Sequence, residues 1–80
     1  MTKDNRDLAH RRQRLGLNQP HIANFFGFSF PELSKFETGK RKHDDLPGNR
    51  TRADYEALLD KLEAMSDAQL AAWAKKYGAK

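Results

Sequence analysis

Helix stops and starts fall so close together in this chain that they decide its architecture. Gly16, Gly27 and Gly39 stand where a left-handed residue can end a helix, and the capping residues Asn18 and Ser29 follow the first two within two positions. The pieces between them have room for helices of only about eight residues. Pro20 and Pro31 fall in first turns, where a missing N–H costs nothing. Helix one runs from Asp4 or Asn5 to Gly16, and helix two from Asn18 to Gly27. Helix three opens on Ser29-Phe30-Pro31-Glu32, read as a capping box, and reaches Gly39. The loop KRKHDDLPGNR over residues 40–50 then leads to a fourth helix from Thr51 or Asp54. A second capping box, Ser66-Asp67-Ala68-Gln69, starts a fifth helix that stops at Gly78. No stretch reads as a strand. The expected fold class is therefore all-α: a compact single-domain bundle of about five short helices, with residues 18–38 joined tightly enough to make a helix-turn-helix.

Apolar spacing assigns the faces. Ile22, Phe26, Leu33 and Phe36, with Leu8 and Leu15 from helix one, are expected to fill the space between the first three helices. Ala23 is small where helix two must approach helix three, and Gly27 permits the sharp exit between them. In residues 51–77, Tyr55, Leu58, Leu59, Leu62 and Met65 form one buried stripe, and Leu70, Trp73, Ala74 and Tyr77 fall on one face of the last helix.

Composition excludes much else. The 80 residues contain no cysteine, which removes disulfides, thiolate chemistry and the commoner structural zinc sites. His10, His21 and His43 show no His-x-x-x-His spacing, and neither a nucleophile motif nor a phosphate-cradling glycine loop is present. Asp44-Asp45 reads as a turn former. The sequence thus argues against an enzyme, a metal site and a cofactor. No apolar run approaches the roughly 18 to 20 residues of a membrane span, and MTKDNRD lacks the apolar stretch of a signal peptide, so a cytoplasmic location is expected. Fifteen Lys and Arg oppose 11 Asp and Glu, a formal net charge of +4. Residues 1–43 hold nine bases and four acids (+5), and residues 44–80 six bases and seven acids (−1). The basic half suits a polyanionic partner.

The run Leu17-Asn18-Gln19, Ile22-Ala23, Phe26-Gly27, Ser29, Leu33-Ser34-Lys35-Phe36-Glu37 and Gly39-Lys40-Arg41 resembles the Cro-like, xenobiotic-response-element-type (XRE) family of helix-turn-helix repressors, over about residues 6–42. The resemblance implies a lambda-repressor-like DNA-binding fold and a structural salt bridge between Arg12 and Glu37. It implies that helix three enters the major groove of double-stranded DNA, with Phe30, Pro31, Glu32 and Lys35 as candidate base contacts. Phe30 and Pro31 depart from the polar pair the family places there: either they press on thymine methyl groups, or Phe30 folds back on the protein. Gln19 matches the position that clamps a phosphate at a helix start. Thr38, Lys40, Arg41, Lys42 and Arg50 are further phosphate candidates, with Arg52, Arg11 and Arg14 behind them.

A single short helix reads few base pairs, so a homodimer on a palindromic operator is expected, its interface formed by Leu70, Trp73 and Tyr77 unless these complete the protomer's own core. Phe25 is a surplus aromatic: exposed, it marks a protein contact; otherwise the loop or the last helices bury it. Two functions follow. One is a promoter-occluding repressor of phage or mobile-element type. The other is a protein-binding module on the same scaffold, such as an antitoxin or anti-repressor, anchored by Phe25 and Phe30.

Overall fold

The computed structural model of the chain describes residues 5–40, 46–48 and 50–78. Within them lie five helices: α1 Arg6–Arg14, α2 Gln19–Phe26, α3 Phe30–Glu37, α4 Arg52–Glu63 and α5 Asp67–Gly78. The architecture is an all-α bundle, and no helix among the described residues is long and apolar enough to cross a membrane.

Local chemistry sets the boundaries. At the start of α2 the Asn18 side chain accepts from the His21 amide while the Asn18 N–H donates to His21 Nδ1 at 2.9 Å. Thr51 and Asp54 make the equivalent pair for α4, and Ser66 and Gln69 for α5. The box expected at Ser29 does not close. Ser29 makes no side-chain cap bond, and Glu32 turns along α3 to within 3.8 Å of Lys35 Nζ. Gly27, at φ 88°, ends α2 by sending its own N–H and that of Phe28 back to the Ala23 carbonyl, at 2.8 and 3.0 Å. Only Gly27, Phe28 and Ser29 then separate α2 from α3, a helix-turn-helix connection.

The core is where the apolar spacing requires it. Leu8, Ile22, Ala23, Leu33, Phe36, Tyr55, Leu59 and Leu62 are all but excluded from solvent, with Phe26 and Leu58 beside them. The Tyr55 ring stacks on Phe36 at 6.0 Å and meets Phe26 edge-on at 6.4 Å, joining α4 to both helices of the turn. Leu15, expected in the core, is only half-buried, and Leu17 two residues on is buried instead. Leu46 also enters the core, held by its N–H to the Arg50 carbonyl at 2.8 Å.

Helix α5 contributes no fully buried residue, yet it lies against α2. Phe25 packs on Trp73 at 5.7 Å and on Tyr77 at 5.3 Å. Asn24 Nδ2 donates to the Tyr77 carbonyl, and a side chain at Gly78 would collide with His21. Trp73 and Tyr77, expected at a dimer interface, are engaged with α2 of their own chain, and Leu70 is half-buried against the same core. The reason is Phe25, the surplus ring of α2, which the stripe of α5 covers in part, leaving 36% of it exposed.

Candidate nucleic-acid interface

The outer face of α3 follows from its inner one. Burying Leu33, Phe36 and Glu37 turns the opposite side of an eight-residue helix to solvent. That side presents Pro31 and Lys35, both exposed, while Phe30, three residues before Leu33 and seven before Glu37, is exposed at the first position of the helix; Glu32 and Ser34 are half-buried. Among the four base-contact candidates, Phe30 is a large apolar side chain left 51% exposed. Phe30 therefore does not fold back into the core. The Lys35 side chain is 55% exposed, and its interaction with Glu32 leaves ammonium protons unused.

Beneath this face is a polar centre. The Glu37 carboxylate, with 2% of the residue exposed, accepts from Arg12 Nε at 3.0 Å and Arg12 Nη2 at 3.1 Å, a bidentate pair. It also accepts from Gln19 Nε2 at 3.1 Å and from the Tyr55 hydroxyl at 2.5 Å. Arg12 Nη1 donates to the Leu17 carbonyl at 2.9 Å. The salt bridge expected between Arg12 and Glu37 is present, and every helix from α1 to α4 has a residue in it. Burial pulls the Arg12 pKa down, but the hydrogen bonds and charge of Glu37 outweigh it, and the net direction is upward. Burial raises the Tyr55 pKa, and the Glu37 carboxylate raises it further.

The phosphate candidates divide. Gln19 is half-buried at the first position of α2 with one amide proton committed to Glu37, so the second remains for another acceptor. Thr38 is half-buried and its hydroxyl donates to the Ser34 carbonyl at 2.9 Å. Lys40 is exposed just past the end of α3. Arg41 and Lys42 lie outside the described residues. The Arg50 guanidinium lies over the Phe26 ring, 5.4 Å from its centroid, and so faces α2 rather than continuing the basic edge of α3. Arg52 pairs with Asp7 and Glu56, and Arg11 with Asp60 and Glu63 at 2.6 and 2.7 Å. Those two arginines are turned toward acids of the α1–α4 face.

Several contributors escape a reading of the sequence. Asn5 donates its backbone N–H to the Glu37 carbonyl and its side-chain amide to the Phe36 carbonyl, closing the end of α3, while its Oδ1 accepts from Arg52. Tyr55 is the more legible case, because a tyrosine inside a leucine stripe announces a hydroxyl in need of a partner. His21 is recognisable as a ring acceptor three residues after a cap.

Comparison with protein-family models, with curated proteins and with solved structures finds no match for this chain.

Proposed function

We propose that the chain is a sequence-specific double-stranded DNA-binding transcriptional regulator of the cytoplasm, acting as a dimeric repressor of phage or mobile-element type that occludes a promoter. The observation that carries this reading is that α3 buries Leu33, Phe36 and Glu37 while Pro31 and Lys35 on its outer side, and Phe30 at its first position, stay exposed. A major groove about 12 Å wide accepts one such helix. The resemblance of residues 6–42 to Cro-like repressors supports it, as does the basic edge formed by Lys35 and Lys40, which the sequence continues with Arg41 and Lys42. In this reading Lys35 donates to a guanine edge, while Gln19, Lys40, Arg41 and Lys42 hold phosphates. Dimerisation follows from the shortness of α3 and calls for a surface other than Trp73 and Tyr77, which face Phe25.

The test is a mobility-shift titration with duplexes selected from a random pool, repeated at several salt concentrations. Log affinity falls linearly with log salt, by about 0.9 for each phosphate neutralised, and the selected sequence is palindromic. Failure to retard any duplex ends the reading. The second reading, an antitoxin-like protein-binding module, draws on Phe25 and Phe30, the exposed large hydrophobic residues. Its apolar contact is nearly indifferent to salt.

A further inference from the structure

We propose that Phe30, backed by Pro31, recognises the C5-methyl group of a pyrimidine, thymine or 5-methylcytosine, in the major groove. The inference rests on the DNA-binding reading and specifies what the helix reads. It begins with an apolar surface that has no partner. Phe30 is 51% exposed and makes no ring contact among the described residues, whereas Phe25, Phe26, Phe28 and Phe36 each pack against another ring. Pro31 beside it is exposed and has no N–H to offer.

The charges around the ring identify the occupant. Lys35 lies one turn beyond Pro31 on the outer side of α3 and Lys40 just past the helix end, both exposed. Of the two acids in α3, Glu37 is buried and Glu32 lies 3.8 Å from Lys35 Nζ. An apolar tip one ring wide, set among cations, fits a polyanion that carries isolated apolar groups. Protein hot spots are clusters of anchors in a broad apolar centre, and the other exposed aromatic, Phe25, is turned to Trp73 and Tyr77. At the base edges of the major groove the apolar feature is the pyrimidine methyl group; the remaining features are hydrogen-bond donors and acceptors. The side chains of Phe30 and Pro31 have neither, so the bases they face are distinguished by methyl against hydrogen. Thymine and 5-methylcytosine carry that methyl at the same ring carbon, and the contact accepts both.

The experiment uses the full chain and a duplex it selects from a random pool. Thymines are replaced singly by deoxyuridine, which removes one methyl group and nothing else. In a second series, C·G pairs at the sensitive positions are compared with 5-methylcytosine·G. At one or two thymines the replacement weakens binding about fourfold, the worth of one buried methyl, and 5-methylcytosine exceeds cytosine there by a similar factor. Phe30→Ala, its fold checked by thermal melting, binds the thymine and deoxyuridine duplexes alike, and Pro31→Ala reduces the discrimination in part. If no thymine is sensitive, if 5-methylcytosine behaves as cytosine, or if Phe30→Ala keeps the wild-type discrimination, the methyl contact is wrong while DNA binding stands. If no duplex is selected at all, the DNA-binding reading fails first and this inference goes with it.

Discussion

A buried carboxylate is tolerable only while its partners remain, and Glu37 has three side chains donating to it. Glu37→Gln keeps the shape but leaves the Arg12 guanidinium, 5% exposed, without a counter-charge. The expected loss is about 3 to 5 kcal/mol in urea unfolding, a large share of what a small domain has. Tyr55→Phe is milder, about 1.5 to 3 kcal/mol at neutral pH, because it removes one hydrogen bond to a charged acceptor. Its signature is in the pH dependence. The folded pKa of Tyr55 lies above its ordinary value of 10.0, so the tyrosine's contribution is complete below that pH and is lost as pH rises toward the folded value. Wild-type stability therefore falls on the alkaline side of 10 more steeply than that of Tyr55→Phe, and equal slopes in urea titrations across this range would refute the assignment.

At the level of elements, α5 carries the clearest choice between two arrangements. A stripe of Leu70, Trp73 and Tyr77 looks the same whether it faces a second copy or its own chain, because periodicity gives a face and not its partner. The structure turns it onto Phe25. Trp73→Ala is thus expected to cost about 2 kcal/mol, less than a fully buried tryptophan. The loss should be independent of protein concentration, since a contact within the protomer involves no mass action. Differential scanning calorimetry across a hundredfold dilution checks this, and a growing deficit on dilution would return Trp73 to a dimer interface. The same limit explains what else the sequence left illegible. Helix boundaries and the core stripes were readable because caps, glycines and apolar spacing act locally. Leu46 in the core, Asn5 at the end of α3 and Arg50 over Phe26 were not, because each depends on where a loop or helix end meets a distant element. The Arg12–Glu37 pair was available through the family resemblance; that Gln19 and Tyr55 share the carboxylate was not.

Over the whole molecule, charge is sorted by face. Two arginines of the α1–α4 side are matched by acids, Arg11 with Asp60 and Glu63, and Arg52 with Asp7 and Glu56. Hydrogen bonds from Arg52 lower the Asp7 pKa, and those from Arg11 lower that of Glu63. Their contributions are present above the ordinary carboxylate range and are lost as pH falls through the lowered values. Asp7→Asn and Glu63→Gln should each change stability by less than about 1 kcal/mol at pH 7 and flatten its decline below about pH 4, read from acid titrations followed by circular dichroism. The Glu37 carboxylate has another consequence at this scale. With α1, α2 and α4 all tethered to one anion on α3, no member of that quartet can peel away without stranding an ion in oil, so their amides should exchange with deuterium in a single concerted opening. The last helix holds no share in the anion. It is free to fray first, loosening like a latch while the remaining four stay shut.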